Sequence, residues 1–427
     1  MKKFLLFLFA AIVLCGCTSV NGGNSQAKVK YVFLFVADGF GENHYKLLKN
    51  EVGCPSLDQF AFARHTGTLN FEGKVTDSAA SGTAIACGEK TYNGAIGMDK
   101  NRRPLKSISR EFKENNYKVG IVSTSPINDA TPAAHYANTF NRAERSLIVH
   151  DLFNSGFDFF GASHFYLDSR YNPTEAEYLA LIAGKYKVHN GKNWNKINPD
   201  DKNFVISRMV RDFPGVPRKT PSLADFTALA IKTLDNPNGF FLMVEEGHTD
   251  VYSHANDSGA LLRAAMDFDK AIAVALEFQK KHPAETLIVV TADHNTGGLH
   301  FLDNYTPGKT TLLHQQMQIS DLQSKITELD KKKADWDLIE RTIVDTLSLG
   351  RITPQERTVL KKSNIKSLAR AAAKLRDKRN GLAWETTSHT GAKILTFAKG
   401  YGAEKFNREG LENTSIARLI REIVFAK

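Results

Sequence analysis

The chain alternates between short apolar segments and longer segments in which apolar residues recur at helical spacing. The short segments are rich in β-branched and aromatic residues, which is typical of strands buried on both faces. Helical patterns separate them, for example over Leu105–Asn115 and Gly259–Lys280. This alternation predicts an α/β fold, a three-layer sandwich with a central, mostly parallel sheet flanked by helices. The predicted strands are Tyr31–Ala37, Val119–Ser123, Phe157–Phe160, Phe240–Val244, Thr286–Thr291 and Ile394–Phe397.

Two regions depart from this alternation, and we interpret them as insertions in one catalytic domain spanning 30–427. The region 306–380 is rich in Lys, Asp, Glu, Gln and Leu, and it predicts two amphipathic helices, Lys325–Asp345 and Pro354–Lys378. A helical cap beside the functional site and a solvated helical pair without a role there both remain open. The second region, near 165–218, is polar and aromatic and follows a predicted strand.

Residues 1–16 have the pattern of a bacterial lipoprotein signal peptide. Lys2 and Lys3 precede an apolar segment that is too short to span a bilayer, and this segment ends at Leu-Cys-Gly-Cys, where Cys17 would become the lipidated first residue. Residues 17–29 then predict a flexible tether. We therefore expect an exported protein, lipid-anchored to a bacterial membrane in the periplasm or at the cell surface. A cleaved signal peptide with an incidental cysteine is the alternative.

The formal net charge of +10 changes this picture little, because much of the excess lies in the helical region. A basic surface attracts anionic substrates, but no nucleic-acid-binding motif accompanies it, so we predict no nucleic-acid partner. Besides Cys17, removal of the signal peptide leaves only Cys54 and Cys87. In an exported protein these two residues could pair, and the sequence leaves both a disulfide and two buried thiols open.

Polar residues directly follow four of the predicted strands. In open α/β sheets, ligands bind beyond the carboxyl ends of the strands. We therefore expect these polar side chains to converge on one rim of the sheet. They are Asp38, the segment Thr124–Asp129, Glu245 and the pair Asp293-His294.

Two further patterns add to this rim. Asp250 and His254 are spaced to share one helical face, and a carboxylate and an imidazole so placed suit Zn²⁺. His389 lies just before the last predicted strand. Ser78 begins a run of small residues that favours a helix, whose N-terminus would hold an anion such as phosphate within reach of the serine hydroxyl. Each residue alone is more often structural, so it is their combination that indicates a site.

Together these motifs resemble those of the alkaline phosphatase family. The segments 75–81 and 90–95 resemble the nucleophile region of that family, and the other motifs occur in the family's order. The resemblance covers 30–302 and 386–399, whereas 306–380 lies outside it. The ordered motifs are Ala37–Gly39, Asp129–Ala133, Glu245–His254, Thr291–His294 and His389–Gly391.

The resemblance implies an alkaline phosphatase, a phosphoric monoester hydrolase that forms a phosphoserine intermediate on Ser78 and has an alkaline pH optimum. Arg142 would hold the phosphate, and Asp77 would orient Arg142. Family members are frequently homodimers, which leaves a homodimer open here. The resemblance also implies two Zn²⁺ and one Mg²⁺, with Asp250, His254 and His389 at the first zinc, Asp38, Asp293 and His294 at the second, and Asp38, Asp129, Thr131 and Glu245 at the magnesium.

Two positions depart from the best-known members. Glu246 stands where glycine is frequent, and the five-residue step to Asp250 favours Glu245 as the ligand. Val251 replaces a lysine or histidine, which should change phosphate affinity and pH profile and leave the reaction class as it is. The alternatives are a phosphodiesterase of the same superfamily and a non-catalytic phosphate-binding lipoprotein. A sulfatase is disfavoured, because the residues from Cys54 to Leu57 do not match Cys-x-Pro-x-Arg.

Overall fold

The structure is a computed structural model that describes residues 29–209, 212–214 and 220–426. The predicted signal peptide 1–16 and the predicted lipidation site Cys17 lie outside the described residues. Within those residues, no helix combines the length and the apolar character needed to cross a bilayer.

Fourteen strands and fourteen α-helices form the described part of the chain. The strands are β1 Tyr31–Ala37, β2 Phe62–Gly67, β3 Lys118–Ser123, β4 Phe159–Ala162, β5 Lys187–Asn190, β6 Asn203–Ile206, β7 Phe240–Glu246, β8 Thr286–Ala292, β9 Asn295–Thr296, β10 Leu299–Phe301, β11 Leu382–Trp384, β12 His389–Thr390, β13 Ile394–Gly400 and β14 Leu411–Glu412. The helices are α1 Glu42–Val52, α2 Ser78–Cys87, α3 Ile108–Glu114, α4 Ala130–Ala133, α5 Arg145–Asn154, α6 Glu175–Ile182, α7 Leu223–Leu234, α8 His248–Ala255, α9 Ser258–Lys281, α10 Ile319–Lys331, α11 Trp336–Leu347, α12 Pro354–Lys362, α13 Leu368–Arg379 and α14 Thr414–Phe425.

Ten strands form one sheet in the order β14-β2-β13-β8-β1-β7-β3-β4-β6-β5. Within this sheet, β13 runs antiparallel to both of its neighbours, and the other pairs are parallel. The central strand β1 sends Leu34 and Val36 into one apolar core and Phe33 and Phe35 into another, because side chains alternate along a strand. The predicted three-layer α/β sandwich with a mostly parallel sheet is confirmed.

The helical region contains its own apolar core, built from residues such as Leu322, Ile343 and Leu368. The prediction of one helix over 325–345 is wrong, because the chain turns at Lys333, with φ at +56°, and separates α10 from α11. The second predicted helix is likewise divided into α12 and α13. Both turns are short and contain neither glycine nor proline, so the sequence offers no strong signal for where the helices end.

Other predicted bounds shift by a few residues. The helix expected over Leu105–Asn115 is the shorter α3, and the strand expected at Phe157–Phe160 lies two residues later as β4. The region near 165–218 contributes α6, the edge strand β5 and its neighbour β6, which lies between β4 and β5. Cys54 and Cys87 are both buried, and they do not form a disulfide with each other, so each is a thiol.

The register of the strands places the residues that were predicted to form the rim next to one another. Ala37 at the end of β1 lies beside Ala292 of β8 and Glu246 of β7. Residues that follow β1 and β8 therefore emerge side by side. Ser123 at the end of β3 lies beside Glu245.

Two small ribbons complete the arrangement. β10 pairs with β11, so the helical region leaves and rejoins the sheet domain through one antiparallel ribbon. β12 pairs with β9, which places His389 beside Thr296, two residues after His294.

Candidate active site

Ser78 is the first residue of α2 and is buried at the rim of the sheet. Asp77 caps this helix, since its Oδ1 accepts a hydrogen bond from the Ala80 N–H at 2.9 Å. Ser78 Oγ lies 3.2 Å from His294 Nε2. A hydroxyl at a helix N-terminus, next to an imidazole, is well placed to meet an anion.

Arg142 lies beside this helix end between two carboxylates. Its Nη1 donates to Asp77 Oδ2 at 3.2 Å, and its Nη2 donates to Asp129 Oδ1 at 3.0 Å. Asp77 Oδ2 also accepts from the Gly94 N–H at 3.0 Å. The guanidinium is therefore held in a fixed plane, which suits a group that binds two oxygens of one phosphate.

Asp250, His254 and His389 form a half-exposed cluster. His254 Nε2 lies 3.2 Å from His389 Nε2 and 3.3 Å from Asp250 Oδ2. The Nδ1 atoms contact backbone carbonyl oxygens, of Thr387 at 2.5 Å and of Thr76 at 2.9 Å. Because a carbonyl only accepts, each Nδ1 carries the proton and both Nε2 lone pairs point at the same small space. A cation in that space would satisfy them.

Asp38, Asp250 and His294 form a second cluster, which is more deeply buried. His294 Nε2 lies 3.5 Å from Asp38 Oδ1 and 3.2 Å from Asp293 Oδ2. Within the described part of the chain, no hydrogen-bond donor reaches Asp38 Oδ1 or Asp293 Oδ2. Two buried carboxylate oxygens without donors are costly unless a cation accompanies them.

A third group of oxygen donors lies at the ends of β3 and β7. Glu245 is fully buried and accepts a hydrogen bond from the Ser123 hydroxyl. Glu246 instead accepts from the Thr124 hydroxyl at 2.9 Å. Thr131 lies two residues after Asp129, and its buried hydroxyl has no hydrogen-bond partner among the described residues.

The electrostatics of these groups also indicate cations. Burial and the charges of neighbouring carboxylates hold the pKa values of Asp38 and Glu245 well above their usual range. Burial raises the pKa of Asp293 to about 6 and lowers the pKa of His294 to about 4. Imidazole with carboxylate suits Zn²⁺, and a set of oxygen donors suits Mg²⁺, so the residues present fit both metals.

The structure thus brings the predicted site residues to one rim, where the backbone of Thr131 packs against Gly82 of α2. Sequence reasoning missed Arg145, whose Nη1 donates to Asp129 Oδ1 at 3.2 Å. It also missed Thr296, whose hydroxyl donates to Asp250 Oδ1 at 2.5 Å. Arg145 lies three residues after Arg142, a spacing that was a usable signal, whereas nothing local marks Thr296.

Comparisons with known proteins agree with this geometry. The family model described as Alkaline phosphatase matches residues 29–153 and 199–425. Alkaline phosphatase 4 from Bacillus subtilis (strain 168) is 30% identical, over 93% of this chain and 89% of the relative. A cold-active alkaline phosphatase from the psychrophile Shewanella sp. superposes with a TM-score of 0.78 at 27% identity, over 92% of this chain and 99% of that chain.

A second solved structure is informative about metals. It is a mutant of the alkaline phosphatase from the Antarctic bacterium TAB5 with Mg bound in its M3 site, and it superposes with a TM-score of 0.68 at 26% identity, over 93% of this chain and 99% of that one. The family match, the relatives and the superpositions all indicate one assignment: this chain belongs to the alkaline phosphatase family and is a phosphomonoesterase.

Proposed function

We propose that this protein hydrolyses phosphate monoesters through a phosphoserine intermediate on Ser78, with two Zn²⁺ and one Mg²⁺ and an alkaline pH optimum. The observation that carries the proposal is the position of Ser78 Oγ, at the start of α2 and 3.2 Å from His294 of the buried cluster. A nucleophile, a guanidinium held between two carboxylates and clusters that fit cations then lie at one rim of the sheet.

The metals would be held by the residues named from the family resemblance. When bound, they supply positive charge to the attacking and leaving oxygens and lower the pKa of a coordinated hydroxyl. The magnesium proposal is supported by the structure of the TAB5 mutant, which has Mg bound in its M3 site. The proposed ligands are Asp250, His254 and His389 for the first Zn²⁺, Asp38, Asp293 and His294 for the second, and Asp38, Asp129, Thr131 and Glu245 for Mg²⁺.

The residues of the chain position the phosphoryl group for two in-line displacements. Arg142 holds two phosphoryl oxygens, and Asp77 and Asp129 fix the plane of its guanidinium. Ser78 Oγ loses its proton and forms a bond to phosphorus while the ester P–O bond breaks and the departing alcohol takes up a proton. Water then loses a proton and forms a bond to the same phosphorus, while the bond to Ser78 Oγ breaks. Ser78 Oγ takes up a proton, and inorganic phosphate leaves.

Ser78→Ala tests the intermediate. We expect kcat for a chromogenic phosphate monoester to fall by about a thousandfold or more, because the attacking oxygen is lost. Acid quenching during turnover of a ³²P-labelled monoester should trap label on the wild type and none on the variant. Metal content of both proteins serves as the control, since the variant keeps every proposed ligand. A metal-loaded Ser78→Ala protein with full turnover would exclude the covalent route.

The alternative activities are tested on the same preparation. A phosphodiesterase would turn over a diester faster than the matched monoester, and a phosphate-binding protein would turn over neither. We expect monoester hydrolysis that is fastest at alkaline pH and is abolished by chelator.

We also propose that the protein is exported and lipid-anchored through Cys17, on the strength of the signal-peptide pattern in residues 1–16. Expression of the full chain in a bacterium should place it in the membrane fraction. Cys17→Ser should release it into the soluble fraction, because the thiol that carries the lipid is lost. A variant that stays with the membrane would exclude this anchor.

A further inference from the structure

A cleft of about 770 Å³ lies between the strand-end loops and the start of the helical region. This volume is within the range of small-molecule sites. One wall comes from the loops after β3 and β4, and the opposite wall comes from the beginning of α10. Residues that line it include Ser125, Tyr166, Arg208, Val251, Met317 and Ser320.

Tyr166 is the aromatic side chain at the exposed part of this cleft, and it is held firmly. Its backbone N–H donates to Asn128 Oδ1 at 2.8 Å, and its carbonyl accepts from Asn128 Nδ2 at 2.9 Å. The guanidinium of Arg145 lies 4.6 Å from the ring centroid. Even so, 41% of Tyr166 remains exposed. A fixed, exposed aromatic ring offers a stacking surface whose conformational entropy is already reduced.

The cleft adjoins the proposed reaction centre on two sides. Arg145, which stacks on Tyr166, also donates to Asp129 Oδ1, the oxygen that Arg142 contacts. On the other side, Val251 follows the proposed ligand Asp250 and is 51% exposed. A phosphoryl group held by Arg142 therefore has this cleft beside it, and the alcohol bonded to that phosphoryl group needs such a space.

The chemistry of the lining favours a particular kind of alcohol. Tyr166, Val251 and Met317 provide apolar contact surface. The side chains of Gln316, Gln318 and Ser320 provide hydrogen-bond donors and acceptors along the opposite wall. Flat rings that carry ring nitrogens and exocyclic groups satisfy both kinds of contact, as the bases of nucleosides do.

We propose that this cleft is the leaving-group subsite and that it selects phosphate monoesters with an aromatic, hydrogen-bonding alcohol, nucleoside 5′-monophosphates being the class. This inference rests on the proposed function, since it assigns the alcohol half of the same substrate. Tyr166 is the specificity-determining residue, and the start of α10 sets the width of the subsite.

The test compares adenosine 5′-monophosphate with glycerol 3-phosphate on the metal-loaded full chain. Both are esters of primary alcohols, so the bond that breaks is matched. For Tyr166→Ala, we expect the ratio of kcat/KM between the two substrates to fall about tenfold, the scale of one lost base–aromatic stacking contact. The change should appear in KM and not in kcat, because the contact is made equally before and during reaction.

A second variant tests the opposite wall. Ser320→Trp places a large side chain in the cleft and should lower the same ratio by a similar factor. Ser324→Trp is the matched control, because Ser324 is exposed on the same helix one turn further on and does not line the cleft. The control should leave the ratio unchanged. If Tyr166→Ala and Ser320→Trp both leave the ratio as it is in the wild type, the subsite is excluded.

A binding measurement separates this inference from the proposed function. Saturation-transfer NMR with adenosine alone should show contact with metal-loaded Ser78→Ala protein, and Ser320→Trp in that background should abolish the signal. If adenosine gives no signal with either protein, the subsite is excluded. This conclusion does not depend on whether the reaction passes through a phosphoserine. Full turnover by Ser78→Ala together with an adenosine signal overturns the route and supports the subsite.

Discussion

Among the charged side chains buried in the described part of the chain, two groups are built in opposite ways. At the base of the helical region, Arg376 is 1% exposed and donates to Asp377 Oδ1 and to the side-chain oxygen of Gln315. Nearby, Asp257 accepts from the Ile319 N–H at 2.7 Å and from Gln315 Nε2 at 2.8 Å. We call these four side chains, Asp257, Gln315, Arg376 and Asp377, the insertion network.

The proposed metal site has the reverse character. Acidic groups outnumber cationic ones there, and Asp38 Oδ1 and Asp293 Oδ2 have no donor within the described residues. In the insertion network the carboxylates of Asp257 and Asp377 are satisfied by the protein itself. The contrast shows that a buried carboxylate whose partners lie within the chain contributes to the structure. A buried carboxylate that lacks such partners indicates a binding site for a cation.

The largest expected loss of stability comes from removing the cation of the insertion network. Arg376→Met keeps the volume and removes the charge, which leaves two buried carboxylates without their cation. We expect the free energy of unfolding to fall by about 3–5 kcal/mol, with or without metal ions. Urea unfolding in chelator at pH 8 measures this. Arg370→Met on the same helix is the control, since Arg370 is exposed and should change stability by less than about 0.5 kcal/mol.

Addition of metal ions should stabilise the protein through the proposed metal site and should not depend on the insertion network. Free Zn²⁺ and Mg²⁺ at a thousandfold excess over Kd should raise the free energy of unfolding by about 4 kcal/mol per site, because the native state binds them. The Arg376→Met protein should show the same increase. An increase that depends on Arg376 would mean that the two groups are not independent.

A smaller effect of opposite sign is expected for Asp293→Asn. Burial raises the pKa of Asp293 to about 6 in the folded chain, above its unfolded value. Ionisation of this carboxyl therefore lowers the stability of the fold progressively as the pH rises from about 4 to about 6, and the full loss persists above pH 6. In chelator at pH 8 the variant should therefore be more stable than the wild type by about 3 kcal/mol.

Two features of that prediction are diagnostic. The advantage of Asp293→Asn should shrink as the pH falls from 6 towards 4, because the carboxyl of the wild type becomes neutral in the fold. With Zn²⁺ and Mg²⁺ present, the order should reverse, since the variant has lost a ligand. A variant that is less stable in chelator at pH 8 would contradict the proposed surplus of negative charge.

The smallest stability effect is expected at the exposed edge of the site. His254 has 41% of its side chain exposed, so His254→Ala should change unfolding in chelator by less than about 0.5 kcal/mol. Its kcat/KM should nevertheless fall by about a hundredfold or more, because loss of a ligand exceeds the usual cost of losing a supporting contact. His300→Ala on β10 is the matched exposed control and should retain activity.

Sequence reasoning located the parts of the fold that are buried on both faces. β1 was predicted to the residue, because an uninterrupted apolar run is bounded by polar residues on both sides. The convergence of polar groups on one rim followed from the rule for parallel strands. β2 was not predicted, because its outward residues are exposed and Arg64 and His65 interrupt its apolar pattern.

The parts that could not be predicted depend on contacts distant in sequence. Nothing near Ile394 indicates that β13 runs antiparallel between β8 and β2. No local signal links Thr296 to Asp250, or the start of α10 to Tyr166. The division of the helical region into four helices depends on how its apolar faces meet, which periodicity alone does not specify.

The two ribbons have a consequence for how such an enzyme diversifies. The whole helical region is joined to the rest of the chain at β10 and β11, and β9 and β12 then bring His389 back beside His294. Residues between these points can be exchanged or lengthened while the proposed ligands on either side keep their separation. Natural variation can therefore rebuild one wall of the substrate cleft and leave the chemistry inherited from the family unchanged.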